Sequence, residues 1–231
     1  MAKKQYFLIV DTETTINNTV ADFGAVVCDR QGNVVKSIGI LVRDHFDAME
    51  LFYTPEAGFW GKQGAEKRRA HYVDMLNAGS RTMGSVGAIN RWLEKVNALY
   101  APSLTAYNLP FDVDKCRNTN IDLNMFSDRF CLWAASVGNI CKTKKFKQFA
   151  LENHAFNNVT QHGNMTLKTN AEIVAGFISG VFVEEPHTAL EDAIDFELPI
   201  LKSIVAKKGW KEKIESYSWR DFQVKDNFTA K

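Results

Sequence analysis

A short apolar run near the start of the chain, Tyr6–Val10, is the feature that most limits how this sequence can fold. Its residues show no alternation of apolar and polar side chains, as expected of a β-strand that is covered on both faces. Asp11 and Glu13 end the run far too early for a membrane-spanning helix or a secretory signal. A strand buried on both faces needs helices on both sides of its sheet, so the sequence predicts a layered α/β protein.

The order of the other elements predicts a mixed sheet flanked by helices. Two β-rich runs, Phe23–Cys28 and Val34–Val42, are joined by a polar turn and predict a hairpin. Further strands are predicted at Leu104–Tyr107 and Phe130–Trp133, and helices at Ala65–Leu76, Val86–Leu99, from Pro110 onward, Lys145–Asn153, Thr169–Ser179 and Ala189–Lys207. Because no linker or repeat interrupts the 231 residues, we expect one domain over 1–231, with a core at 5–205 and a tail at 208–231.

The composition, 45% apolar and 24% charged, is that of an ordinary globular protein. The net charge of +1 does not indicate a protein that grips long duplex DNA through many phosphates. Two bound divalent cations would raise that charge to about +5. The four cysteines form no C-x-x-C pair, which indicates reduced core thiols. We expect a cytoplasmic protein, in the host cytoplasm if a phage encodes it.

Asp11 and Glu13 form the first of three acidic motifs. They are two residues apart on a strand, so both side chains project from the same face. Two carboxylates at the end of a buried strand repel each other, and a divalent cation removes that repulsion. Hard oxygen ligands favour Mg²⁺ or Mn²⁺. An ordinary solvated strand end is the alternative interpretation of this motif.

The second motif, Asn108-Leu109-Pro110-Phe111-Asp112, follows the predicted strand at Leu104–Tyr107. Asp112 falls in the first turn of a helix, where the helix dipole favours a carboxylate whether or not it binds a ligand. Asp114 is the weaker candidate, because two residues further along a helix it points to the other side.

The third motif, Pro186-His187-Thr188-Ala189-Leu190-Glu191-Asp192, carries His187 and Asp192. Thr188 and Glu191 have the spacing of a capping box, which predicts a helix start at Ala189. His187 would then lie on the preceding loop and Asp192 near the first helical turn. A break between the two residues lets both reach one point, although on a continuous helix they would be about 140° apart. Asp195 is an alternative ligand to Asp192.

In this order, the three motifs resemble those of the DEDDh 3′→5′ exonuclease superfamily, whose members include DnaQ-like and RNase T-like enzymes. Ala21–Val27 also resembles the second strand of that family, which usually carries a glutamate near the position of Asp22. The resemblance covers about residues 5 to 205. It implies a ribonuclease H-like fold, with a mixed five-stranded sheet whose first three strands are antiparallel.

The resemblance also implies a reaction and a set of roles. The enzyme would hydrolyse phosphodiester bonds from the 3′ end of DNA or RNA with two Mg²⁺ or Mn²⁺ ions, releasing nucleoside 5′-monophosphates. Asp11 would bridge the ions, and Glu13 and Asp192 would complete the site of one. Asp112 would hold the other ion through water, and His187 would be the general base. Two ions about 4 Å apart stabilise the attacking and leaving oxygens together.

Substrate contacts are less well defined by the sequence. A terminal base needs an apolar surface on which to stack. The candidate side chains are Thr14, Thr15, Ile16, Tyr107, Asn108 and Phe111, with Phe59 and Trp60 as further aromatic candidates. Basic residues at 62–69 and 142–147 are candidates for guiding the backbone, or they are solvated helix faces. The aromatic and basic stretch at 210–228 is either a docked tail or a strand-binding flap.

Two other functions fit parts of the pattern. A phosphatase with an aspartyl nucleophile also begins with an acidic motif after an apolar strand, but it needs an Asp where this chain has Glu13. The phosphatase hypothesis also does not explain His187 and Asp192 of the third motif. A non-catalytic nucleic-acid-binding module of the same fold is the second alternative. DNA or RNA preference, strand preference, pathway, metal and oligomeric state are left open by the sequence.

Overall fold

The computed structural model describes residues 4–157 and 165–224 of the chain. Within them a five-stranded mixed sheet has the order β4-β3-β2-β1-β5. The strands are β1 Tyr6–Thr14, β2 Val20–Asp29, β3 Val34–Val42, β4 Thr82–Gly84 and β5 Ser103–Thr105. The first three are antiparallel, β5 runs parallel to β1, and β4 runs parallel to β3.

Helices cover both faces of the sheet and connect the strands from β3 onward. They are α1 Arg43–Phe46, α2 Lys62–Asn77, α3 Val86–Tyr100, α4 Leu109–Asn118, α5 Leu132–Ser136, α6 Lys144–Glu152, α7 Ala171–Ser179, α8 Ala189–Asp192 and α9 Leu198–Val205. Two π-helical turns, Val137–Cys141 and Ala193–Glu197, follow α5 and α8, and 3₁₀ turns form at Trp210–Lys213 and Trp219–Asp221. No helix in the described part of the chain combines the length and hydropathy needed to cross a bilayer.

The side chains of β1 alternate between two apolar cores. Phe7 and Ile9 pack with α5, α6, α7 and α9 on one face, whereas Leu8 and Val10 pack with α3 and α4 on the other. Both faces of the strand are therefore buried, as its continuous apolar run predicts. The α/β class and the ribonuclease H-like arrangement, with three antiparallel strands and a parallel strand next to the first, are confirmed.

The segment after α9 packs against the first of these cores. Trp210 and Phe222 are buried, at 5% and 1% exposure. Lys142 forms ion pairs with Glu215 and Asp221, at 2.6 and 3.0 Å. Up to residue 224 the stretch is therefore docked, and part of the basic cluster at 142–147 holds it in place. Residues 225–228 of the predicted stretch lie outside the described residues.

Two strand predictions differ from the structure. Phe130–Trp133 was expected to be a strand, but only a single parallel bridge forms, between Leu104 and Arg129, and α5 begins at Leu132. The backbone still bonds to the strand beside it, because Phe130 N–H donates to the Leu104 carbonyl at 3.0 Å. The three-residue strand β4 was not predicted, since it is too short to show an alternating pattern.

Candidate active site

Strand β1 is longer than the predicted strand Tyr6–Val10, so the first two carboxylates lie within the strand and not after its end. It continues to Thr14, so Asp11 and Glu13 are strand residues, both half-buried and on the same face. Thr12 points to the opposite face, where its hydroxyl donates to Asp112 Oδ1 at 2.9 Å. This hydrogen bond ties the first motif to α4, and it fixes the carboxylate of Asp112 at the end of β1.

The start of α8 lies directly on strand β2. A Cβ atom added to Gly24 would lie 2.3 Å from the carbonyl carbon of Ala189, so only glycine permits this approach. Asp22, two residues earlier on β2, accepts a hydrogen bond from Ala189 N–H at 3.0 Å. The contact joins residues 167 positions apart, and it brings the third motif to the strand that pairs with β1.

The predicted capping box at the start of α8 does not form. Helix α8 begins at Ala189 as predicted, but the Thr188 side chain makes no capping hydrogen bond. Glu191 instead pairs with the buried Arg81, whose Nη2 also lies 3.1 Å from Asp22 Oδ2. The capping prediction was wrong because a tertiary ion pair takes the glutamate, and a side chain from β2 caps the helix in place of Thr188.

Three of the predicted residues meet at one point. Glu13, His187 and Asp192 offer ligand atoms that all lie within 4.8 Å of one another. His187 Nδ1 is 3.9 Å from Glu13 Oε1. Asp11 and Asp112 lie outside this group of three, and the charge of Asp11 raises the pKa values of Glu13 and Asp192. The break in the helix between His187 and Asp192 therefore has the effect that the sequence predicts, and His187 has the positive φ of a turn, 54°.

Burial and neighbouring negative charges raise the pKa values of four carboxylates around this point. Burial, followed by the charge of Asp11, raises the pKa of Asp192 to about 9. Burial and then Asp22 raise the pKa of Asp11 to about 7. Burial, with Asp11 as the next cause, also raises the pKa values of Glu13 and Asp112 well above the usual range. Such a group is destabilising when ionised, unless a cation shares its space.

The donor set fits a divalent cation. Its atoms are mostly carboxylate oxygens, the ligands that Mg²⁺ and Mn²⁺ select. Asp192 is 6% exposed, and its Oδ1 atom is buried without a hydrogen-bond partner among the described residues. Buried polar atoms are rarely left without a partner, and a bound cation would supply one here.

His187 is held in its neutral form. Burial and then the charge of Arg68 lower the pKa of the imidazole to about 4, so it is unprotonated at pH 7. Its ring packs against Phe59 and Trp60, with centroids 5.0 and 4.7 Å away. The hydroxyl of Tyr72 donates to the His187 carbonyl at 3.3 Å. The residue can therefore accept a proton, and three aromatic side chains hold it in position.

Helix α2 fixes the aromatic loop beside His187. Arg68 donates to the carbonyls of Phe52 and Phe59, and its guanidinium lies 4.8 Å from the ring centroids of Phe59 and Trp60. Arg69 donates to the carbonyl of Phe46 at 2.7 Å. These two arginines of the predicted basic cluster at 62–69 therefore shape the loop, and each donates two hydrogen bonds to backbone carbonyls.

A cavity of about 460 Å³ opens beside the carboxylates. Exposed aromatic rings form part of its wall, namely Phe52, Trp60 and Phe111, at 38%, 38% and 42% exposure. The other lining residues are Asp11, Thr12, Glu13, Thr14, Thr54 and His187. Its size is in the range of small-molecule sites. The cavity therefore places flat apolar surfaces beside the acidic group.

The candidate substrate residues differ in where they lie. Thr14, Trp60 and Phe111 line the cavity, and Phe59 lies next to it against His187. The other four candidates do not line the cavity. Thr15 is buried and hydrogen-bonded to Thr19, and Ile16 is exposed. The Tyr107 hydroxyl donates to the Thr169 carbonyl, and Asn108 directly precedes α4. Phe52 and Thr54 were not predicted, because nothing in the sequence shows that the loop before α2 folds back over β1.

Two further carboxylates act on the site and were not predicted. Burial and then Asp11 raise the pKa of Glu185 to about 7. Burial, followed by Asp11 and Asp112, raises the pKa of Glu197 well above its usual value. By contrast, Asp195 is exposed, and Asp114 pairs with Arg117 on the surface of α4. No sequence signal identifies Glu197, since an α-helix would turn it away from Asp192.

Comparison with known structures returns exonuclease I chains. E. coli exonuclease I in complex with a 5cy-dT13 oligonucleotide is 18% identical, with a TM-score of 0.48 over 89% of this chain and 41% of that chain. A product-bound exonuclease I structure is 16% identical, with a TM-score of 0.47 over 91% and 45%. The chain thus spans less than half the length of these proteins. No protein-family model matches the sequence, and no curated protein matches it. We therefore derive a function from the residues of the site itself.

Proposed function

We propose that this protein is a metal-dependent 3′→5′ exonuclease that removes nucleoside 5′-monophosphates from a single-stranded nucleic acid. The observation that carries the proposal is the meeting of Glu13, His187 and Asp192 within 4.8 Å, from the two ends of the chain. The order of the three motifs supports the DEDDh type of site. The 3′→5′ direction rests on the sequence resemblance alone.

Four carboxylates are proposed to hold two divalent cations, Mg²⁺ or Mn²⁺. Glu13 and Asp192 converge on one point, and Asp11 lies on the same strand face as Glu13. Asp112 is held at the end of the strand by Thr12. When bound, two such ions stabilise the developing charge on the attacking and leaving oxygens of a phosphodiester.

His187 is proposed to be the general base. It is neutral at pH 7, since its pKa is lowered to about 4, and it lies beside the acidic group and the cavity. It would take the proton of the attacking water. The rings of Phe59 and Trp60 limit the positions of the imidazole and shield it from bulk solvent.

The terminal nucleotide is proposed to occupy the 460 Å³ cavity. Phe52, Trp60 and Phe111 are exposed enough to stack against a base, a contact worth roughly 1–3 kcal/mol per base. Stacking does not depend on base identity, so we expect little sequence preference. No side chain that lines the cavity distinguishes ribose from deoxyribose, so the experiment below uses both DNA and RNA.

A time course on matched 5′-labelled DNA and RNA strands, single and double, tests this proposal. We expect a ladder that shortens from the 3′ end with Mg²⁺ or Mn²⁺ and stops with chelator. Asp11→Ala and Asp192→Ala should abolish shortening. His187→Ala should lose about 10²–10⁴-fold in rate and still bind metal and substrate. The matched control is Asp195→Asn, which removes an exposed carboxylate near the site.

The alternatives predict other outcomes. Binding of the strands without metal-dependent shortening would indicate a non-catalytic module. A phosphoryl group trapped on Asp11 would indicate a phosphatase. Near-wild-type hydrolysis by His187→Ala would show that this histidine is not the base.

A further inference from the structure

A π-helical turn follows Asp192 and changes the direction of the next carboxylate. The turn covers Ala193–Glu197, and Leu198 N–H donates to the Ala193 carbonyl five residues earlier. On an α-helix, Glu197 would be rotated about 140° from Asp192. A π turn closes its hydrogen bond at i+5, so it brings residues five apart towards one face. Such turns are frequent at functional sites.

Glu197 is buried in an unusual setting for a carboxylate. It is 3% exposed, and it forms no ion pair in the described part of the chain. Its Oε2 atom is buried without a hydrogen-bond partner there. The charges that act most on it are also negative, those of Asp11 and Asp112. An ionised carboxylate that is buried without a positive partner destabilises the folded protein. A bound cation would remove this destabilisation, and so would an uncharged side chain at this position.

The other oxygen of Glu197 supports the loop that leads to Asp112. Tyr107 N–H donates to Glu197 Oε1 at 3.1 Å, directly after β5. Asn108 and then α4 follow, and Asp112 lies in the first turn of that helix. Glu197 therefore contacts the segment that places Asp112, while Oε2 is left for another partner.

We propose that Glu197 is a fifth carboxylate of the cation site and contributes Oε2 to cation binding on the Asp112 side. This inference rests on the cation site of the proposed function. A purely structural role would need only an acceptor for Tyr107 N–H, which a glutamine provides equally well. Removing the charge of Glu197 should therefore weaken cation binding if the proposal is right, and should leave it unchanged if the role is only structural.

A calorimetric Mn²⁺ titration without nucleic acid, on wild type, Glu197→Gln and Asp195→Asn, tests the proposal. Gln keeps the size of the side chain and its acceptor for Tyr107. Of the two proposed Mn²⁺ ions, we expect Glu197→Gln to bind the one with the lower affinity about 10–100-fold less tightly than the wild type does. This loss is typical of groups that support a metal site. Asp195→Asn should match the wild type, since it removes a charge from the same turn but on the exposed side.

A Glu197→Gln isotherm that superimposes on the wild type would overturn the proposal and leave Glu197 as a support for the loop. Circular dichroism in chelator checks that the variant folds. If it does not, Glu197→Met, which also lacks the charge and has a similar length, takes its place, and an unchanged isotherm overturns the proposal in the same way. A wild-type protein that binds Mn²⁺ but shortens no oligonucleotide would contradict the nuclease function, whereas the titration would still decide the role of Glu197.

Discussion

Replacing Asp192 by Asn should stabilise the protein in the absence of cations. The pKa of Asp192 is raised to about 9 in the folded state, against 3.8 for the unperturbed group, because of burial and then the charge of Asp11. Between pH 3.8 and 7.5 the unfolded carboxyl therefore ionises while the folded one holds its proton. Stability falls as the pH rises through that window. At about 1.36 kcal/mol per pH unit, the cost at pH 7.5 is at most about 5 kcal/mol.

Asn carries no charge and keeps the shape of the side chain, so it removes this cost. We expect Asp192→Asn to raise the free energy of unfolding by about 2–5 kcal/mol, measured by urea unfolding at pH 7.5 in chelator. Asp195→Asn, on the surface of the next turn, should change it by less than about 0.5 kcal/mol.

The advantage of Asp192→Asn over the wild type should shrink by about 2–3 kcal/mol when cations are present. Mn²⁺ at 100 times its dissociation constant adds about 2.7 kcal/mol to the wild type and little to Asp192→Asn. An Asp192→Asn protein that is no more stable than wild type in chelator, or that gains as much from Mn²⁺, would refute the electrostatic reasoning.

Three further predictions concern the supports of the site and its protons. Gly24→Ala should destabilise the fold by about 1–3 kcal/mol and weaken Mn²⁺ binding, because the added methyl group meets Ala189. The control is Gly87→Ala, where the nearest neighbour of an added Cβ atom is 3.5 Å away. Equal urea midpoints for the two variants would contradict the close contact. Arg81→Met leaves two carboxylates without their buried partner and should cost about 3–5 kcal/mol in urea unfolding. An unchanged free energy of unfolding would show that the ion pair does not stabilise the fold. Calorimetric Mn²⁺ affinity should fall from pH 8 to pH 6, because protons compete for Asp11, whose pKa is about 7; a flat profile would argue against that carboxylate as a ligand.

The local features of the fold were predictable because each one is encoded in neighbouring residues. The apolar run Tyr6–Val10 predicts a strand buried on both faces, and the polar turn after Cys28 predicts the hairpin that forms. Spacing along one element is equally local, so Asp11 and Glu13 were expected on one face of β1, where they lie. The helix start at Ala189 was also predicted, although the capping interaction expected there was not the one that forms.

The convergence of the site was decided by contacts between distant parts of the chain. Ala189 reaches Asp22 because Gly24 leaves room on β2, and neither residue shows this in its own surroundings. Arg81 pairs with Glu191, 110 positions away, and this contact keeps the glutamate from its predicted cap.

The sequence by itself thus determined strands β1, β2, β3 and β5, the main helices and the identity of the acidic motifs, because periodicity and side-chain chemistry act over a few residues. Only the tertiary structure decided which carboxylates share one space. It placed Glu197 towards the site through a π turn that no local pattern marks, and it covered β1 with the aromatic loop of Phe52 and Trp60. These outcomes depend on packing, since a helix turn or a loop takes the path that buries its apolar side chains and satisfies its polar groups.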